Sequence, residues 1–147
     1  MAMATRVATV SWMGDLSGSG DLTLESSGVL TATPVTWASR AEAPEGRTSP
    51  EELLAAAHAT CYAMAFSNHL AKEGGVSAES LEVRAECDLD RVDGGLKVTT
   101  MRLQVRGVVP GLDEAGFAKL ATEAEEKCPI SNAIRGNVQI ELDAALA

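Results

Sequence analysis

Aromatic side chains are scarce in this sequence, at 3% of 147 residues. That leaves Leu, Val, Ile, Ala and Met as the expected core material. Cysteine is sparse too: Cys61, Cys87 and Cys128 are all there is. An odd set of three is not a disulfide scaffold, and a pair that does close in a reducing compartment points to catalysis or redox sensing. Positive charge is outnumbered, with 12 Lys and Arg against 21 Asp and Glu and a net charge of −9. Nucleic acid phosphates demand a basic surface, so this balance argues against nucleic acid as a partner and offers an anionic membrane nothing. No apolar run approaches the roughly 20 residues that span a bilayer. The opening "MAMATRVATVSW" lacks the apolar stretch of a secretory signal, so the expected location is the cytoplasm. Repeats and low-complexity linkers are missing as well, and the length fits one domain over residues 1–147.

What is present begins as strands. "TRVATVSW" places Val7 and Val10 among small residues and ends at Trp12. "LTLES" and "GVLTATPVTW" follow the turn-rich "GDLSGSGD" as further strands. The stretch Ala38–Ser49 has few apolar side chains and reads as an exposed loop carrying Arg40 and Arg47. Ser49-Pro50-Glu51-Glu52 then combines an N-cap serine, proline at the first helical position and glutamate three residues after the cap. A long helix is expected from Pro50 to about Lys72, ending at Gly74-Gly75. Leu54, His58, Cys61, Ala65 and Asn68 share one face of it, with Leu53, Ala57 and Met64 as a neighbouring stripe. So apolar a circumference predicts burial on more than one side.

"SLEVRAECDLDRV" alternates as a strand, Asp93-Gly94-Gly95 is a hairpin turn, and "LKVTTMRLQVRGVV" returns. The apolar phase slips between Val98 and Met101, which predicts a bulge near Thr99-Thr100. "DEAGFAKLATEAEEK" reads as a second helix capped by Asp113, with Phe117, Leu120 and Ala124 inward and Glu123, Glu125 and Glu126 on a solvated face. "NVQIELD" closes the chain as a strand. Segregated blocks of strands and helices of this kind indicate an α+β fold.

Position alone treats the three cysteines differently. Cys61, in mid-helix, and Cys87, on an apolar strand face, both read as small buried hydrophobes. Cys128 sits in "KCPIS", and if Pro129 opens a new helical turn the cysteine lies at its cap, where a helix N-terminus and Lys127 both favour thiolate.

Taken together the segments resemble the OsmC/Ohr family of thiol-dependent peroxidases, and its OsmC branch in particular. The resemblance is carried by "GVLTATPVTWASR", "SPEELLAAAHATCYAMAFS", "ECDLDRVDGGLKVTTMRLQVRGVVPGLDEAGF" and "EKCPIS", in that order and through nearly the whole chain. It implies an OsmC-like α+β fold, with antiparallel sheets packed around two central helices in an intertwined homodimer. It implies Cys61 as the peroxidatic cysteine, Cys128 as the resolving one, Arg40 as the active-site arginine and Glu51 as its carboxylate. Arg47 is the alternative should the loop from Ala41 to Thr48 shift the alignment.

The roles make physical sense. A mid-helix cysteine gains nothing from its own helix dipole, which fades within the first turn, and burial raises its pKa. An arginine must therefore approach, and a carboxylate must hold that arginine. Glu51 precedes Cys61 by ten residues, a rise of about 15 Å along a straight helix. Arg40 and Glu51 are thus expected to complete the site from a second subunit. The implied reaction reduces organic hydroperoxides, and hydrogen peroxide less well, through a Cys61 sulfenic acid and a Cys61–Cys128 disulfide reopened by a lipoyl-type dithiol. Leu54, Met64, Phe66 and Phe117 are candidates for an apolar wall. No cofactor is expected; His58 reads as a packing residue rather than a metal ligand, and His69 as exposed. The rival readings are a redox-sensing or thiol-binding module with little turnover, and a structural stress protein whose cysteines are only core.

Overall fold

Short strands of small and β-branched residues, broken by Gly- and Ser-rich turns, make up the first part of the chain. The computed structural model describes residues 1–147, which divide into units Met1–Pro50 and Glu51–Ala147. In the first unit, β1 (Thr9–Met13), β2 (Ser19–Thr23) and β3 (Thr33–Thr36) form an antiparallel sheet in that order. Trp12 stands opposite Gly20, where an added Cβ would meet the indole at 2.8 Å. Every residue of β1 is exposed.

The expected third strand and the loop after it need correction. Residues 24–32 form turns, and the chain leaves the sheet at Thr36 to form a short helix, α1 (Trp37–Ala41). The Thr36 hydroxyl accepts from the Ser39 N–H at 3.1 Å, and the Ser39 hydroxyl accepts from the Thr36 N–H at 3.2 Å. That reciprocal capping box satisfies donors a helix start leaves open, and so stabilises a helix where the sequence shows no periodicity.

The second unit is built on α2 (Pro50–His69), which begins at the expected proline. Its last turn differs from expectation: residues Leu70–Gly74 widen into a π-helical segment that ends at Gly75, with φ +63°. The wider turn lets consecutive residues His69 and Leu70 both face inward. Glycine at Gly75 supplies the left-handed conformation that closes the helix. In this chain α2 is buried on one side only. The inward stripe is His58, Tyr62, Phe66 and His69, while Ala57, Met64 and Asn68 are exposed.

β4 (Ser80–Val92) and β5 (Gly95–Val108) form the long hairpin, closed by Asp93 at φ +51° and Gly94 at φ +78°. Two consecutive positive φ values match the twist of a two-residue hairpin turn. The bulge falls where the apolar phase slips: Asp88 pairs with Thr100 and Leu89 with Val98, leaving Thr99 unopposed. Arg102 ties the exposed face, bonding Glu86 at 3.0 Å and Asp88 at 2.6 Å. α3 (Glu114–Lys127) starts at Asp113, whose carboxylate accepts from the Gly116 N–H at 2.8 Å. α4 (Pro129–Ile134) follows after a single residue, and β6 (Gln139–Leu146) then joins β5 in parallel. The second sheet, in the order β4-β5-β6, is therefore mixed. A parallel partner needs a crossover, and α3 and α4 supply it. Two sheets with segregated helices make the fold α+β, as expected.

The core of this unit is more aromatic than its composition suggested. Tyr62, Phe66 and Phe117 are completely buried at its centre. Phe66 meets Phe117 edge-on at 5.1 Å between centroids, and Tyr62 lies 5.8 Å from Phe66. Scarcity concentrates these rings where each removes the most apolar area from water. Gly107 makes room for them, because a Cβ there would fall 2.7 Å from the Phe117 ring. Phe66 and Phe117 are thus core and do not form the wall of a substrate site.

Candidate active site

Cys128 is the residue between two helices. It ends α3 and caps α4, with an extended backbone at φ −70° and ψ 121°. Pro129 opens α4, where its missing N–H does no harm. The Cys128 side chain is fully buried, and Cys61 of α2 is half-buried. Cys61 packs against the buried cluster that contains Cys128, near enough for the Cys128 side chain to act on its pKa, although 67 residues separate them in sequence. Both are free thiols.

Three influences set the Cys61 thiol. Burial raises its pKa most, the Cys128 side chain raises it further, and the Ile130 backbone N–H lowers it. Ile130 is the second residue of α4, so its N–H is one of the donors a helix leaves open at its start. The helix dipole of α2 does not serve Cys61, but the start of a second helix does. Sequence reasoning placed that N-terminus against Cys128 alone. The net direction for Cys61 is still upward, so this environment favours the thiol over the thiolate.

Cys87 is half-buried on β4 opposite Met101. Burial pushes its thiol pKa up, and the Glu51 and Asp88 carboxylates push it further. That environment holds Cys87 as the protonated thiol, in keeping with a packing role.

Glu51 lies in the first turn of α2 and is 8% exposed. α2 runs unbroken from Glu51 to Cys61, so the rise of about 15 Å stands. Arg40 belongs to the first unit, in the last turn of α1, with its guanidinium 5.8 Å from the Trp37 ring centroid. A cation there suits the α1 C-terminus and the aromatic face. Arg47 sits in the loop beyond α1 and pairs with Glu45 at 3.6 Å. Of the four residues singled out, the second unit brings Cys61 and Cys128 into one cluster, while the Glu51 charge acts on Cys87.

Two histidines and a glutamate differ from expectation or gain partners. His58 is completely buried, and its Nε2 lies 2.8 Å from the Ser131 hydroxyl, itself fully buried in α4. His69 is 4% exposed, not at the surface, and its Nε2 bonds the Glu123 carboxylate at 2.8 Å. Glu125 is also buried, and Arg135 bonds it at 2.7 Å. Glu126 of the acidic run lies on a solvated face and Glu123 stays about a third exposed, whereas Glu125 is buried against Arg135. No cluster of three or more His, Cys, Asp or Glu side chains is arranged to hold a metal ion. The sequence did carry a signal for the His58–Ser131 pair: His58 falls one turn before Cys61, and Ser131 lies in the same "CPIS" as Cys128.

The Glu123 site has a pH signature. Lys119 and His69 hold its carboxyl at about 2, below the ordinary 4.5. A carboxyl depressed in the folded state stabilises the fold above its unfolded pKa, and that contribution disappears as pH falls through the folded value. Urea midpoints are expected to decline between about pH 4.5 and 2, with Glu123→Gln flattening part of that decline. Equal slopes in the two proteins would contradict it.

A sequence profile of the OsmC-like protein family matches residues 43–143. Peroxiredoxin OsmC of Escherichia coli is 37% identical over 131 residues, covering 88% of this chain and 90% of that protein. Organic hydroperoxide resistance protein OhrA of Bacillus subtilis is 34% identical over 150 residues, covering 99% of each. Among solved structures, organic hydroperoxide resistance protein OhrB of Bacillus subtilis superposes with a TM-score of 0.77 at 32% identity, over 99% of this chain and 100% of that one. An OsmC protein from Legionella pneumophila gives 0.76 at 29% identity, over 100% and 99%.

Proposed function

This chain belongs to the OsmC-like protein family, and we propose that it is a thiol-dependent peroxidase that reduces organic hydroperoxides, with hydrogen peroxide a poorer substrate. The observation that carries the reading is the packing of Cys61 against the buried cluster that holds Cys128 at the start of α4. The names of the relatives from Escherichia coli and Bacillus subtilis support the same chemistry. In the cycle, Cys61 thiolate attacks one oxygen of the O–O bond and becomes a sulfenic acid, releasing an alcohol. Cys128 condenses with it to a disulfide, which protects Cys61 from irreversible oxidation. A dithiol of the lipoyl type reopens the disulfide by exchange.

Burial opposes the Cys61 thiolate, and one N–H does not offset it. Arg40 is the proposed source of the missing positive charge, because a guanidinium can bond a thiolate and a peroxide oxygen together. Glu51 is proposed to hold that guanidinium. A helix rise of about 15 Å separates Glu51 from the Cys61 of its own chain, so the reading includes a homodimer with shared sites. The exposed apolar side chains of α2 and β1 favour such an assembly: Met64 is 68% exposed and Met13 72%. The Leu54 and Met64 side chains remain proposed as apolar surface for the organic group.

A redox sensor with the same disulfide but little turnover has one observation in its favour, the raised Cys61 thiol. Steady-state assays separate the two. Cumene hydroperoxide with dihydrolipoamide is expected to give sustained turnover and a higher kcat/KM than hydrogen peroxide, with thioredoxin the poorer donor. Consumption of one equivalent, with no dithiol able to restore it, would favour the sensor instead.

A further inference from the structure

α4 is six residues long. So short a helix holds its position poorly by its own hydrogen bonds and depends on what it packs against. Its far end is fastened by Arg135, which donates to the Glu125 carboxylate at 2.7 Å and to the Glu125 carbonyl at 3.4 Å. Its near end carries Cys128, Ile130 and Ser131. Cys61 of α2 packs in the same cluster as the first two, and His58, one turn earlier on the same face, bonds the third at 2.8 Å.

The His58 ring is an unusual thing to bury there. It has no exposed surface, and its Nδ1 has no hydrogen-bond partner. Burial lowers its pKa, with the Glu125 charge opposing and the Arg135 charge adding, so the ring is held neutral. An apolar side chain at this position would avoid the unpaired nitrogen. What the imidazole supplies in return is the bond from Nε2 to Ser131.

We propose that His58 and Ser131 are positioning residues for disulfide closure, their hydrogen bond holding the Cys128 end of α4 against α2 within reach of the oxidised Cys61. The inference rests on the peroxidase reading above. In the closure step, the Cys128 sulfur uses an electron pair to form a bond to the Cys61 sulfur. The S–O bond of the sulfenic acid breaks, and its hydroxyl leaves with the Cys128 proton as water. The oxidising equivalents are those already delivered by the hydroperoxide, so no other oxidant is needed. The sulfurs must close to a bond of about 2.0 Å. The extended backbone at Cys128, between two helices, takes up that motion while Ser131 stays anchored.

The test is a pulse of cumene hydroperoxide on the reduced full-length protein, quenched at intervals with dimedone and an alkylating agent, with products counted by mass. Ser131→Ala and His58→Leu are expected to slow closure about tenfold while loss of the Cys61 thiol slows by no more than about threefold. Dimedone adducts of Cys61 then accumulate in both. His58→Gln, whose amide nitrogen replaces Nε2, is expected to recover closure to within about threefold of wild type. Ser131→Ala removes one oxygen and decides the matter if His58→Leu does not fold. Closure at the wild-type rate in Ser131→Ala overturns the proposal. So does an equal slowing of both steps with no recovery in His58→Gln, which marks general loosening. A wild-type protein that forms neither adduct nor disulfide overturns the peroxidase reading itself, and this proposal with it.

Discussion

Cys61→Ser is expected to lower hydroperoxide turnover by at least about 10³-fold, to the level of protein-free buffer plus dithiol. The exchange is nearly isosteric at a half-buried position, so the fold should persist. A serine hydroxyl in the same setting would retain the Ile130 N–H but could not ionise near neutral pH. Cys128→Ser should behave differently. It should complete one oxidation of Cys61 and then stop, with sulfinic acid building up under excess peroxide. Cys87→Ser should turn over normally, since burial and two carboxylates hold that thiol protonated. Steady-state rates with mass analysis of Cys61 check all three. Full activity in Cys61→Ser would remove the basis of the proposed function.

Arg40→Met is expected to cost about 10²- to 10³-fold in kcat/KM, the scale seen when one preorganised donor to developing charge is lost. The physical reason lies in the balance at Cys61, where burial dominates and pushes the thiol up. Its apparent pKa in a pH–rate profile should rise in the variant, because the cation that favours thiolate is gone. Arg47→Met should change rates by no more than about threefold, as its pair with Glu45 is exposed. A mixture of Arg40→Met and Cys61→Ser chains tests which subunit supplies the guanidinium. With free exchange and a shared site, activity should return to about a quarter of wild type, because half the dimers are mixed and each carries one intact site. Two inactive chains that stay inactive after exchange would place Arg40 on the same chain as the Cys61 it serves.

Much of this architecture was legible where local chemistry is strong. Pro50 opens α2 where a proline at the first turn predicts it, and the Asp113 carboxylate caps α3. The hairpin at Asp93-Gly94 and the bulge at Thr99 could be read from turn residues and a slipped alternation. Of the two cysteines in the proposed site, local position marked only Cys128, before a proline that starts a helix; mid-helix Cys61 read as a buried hydrophobe and was singled out by the family resemblance alone. What stayed hidden depends on distant partners. His69 looked exposed because its own helix ends there, yet Glu123, 54 residues away, draws it inward. Glu125 looked solvated until Arg135 folded back on it. α1 spans five residues, too short to show a period, and is declared only by the Thr36–Ser39 capping box. The direction of β6 is likewise invisible locally, since the same alternation serves a parallel or an antiparallel neighbour.

The most direct measurement is a thiol count and disulfide map after one equivalent of cumene hydroperoxide. Loss of two thiols per chain, a single 61–128 bridge, an untouched Cys87 and full reversal by dihydrolipoamide are the predicted result. Three thiols still titrating, or a bridge that includes position 87, would contradict the account at its root.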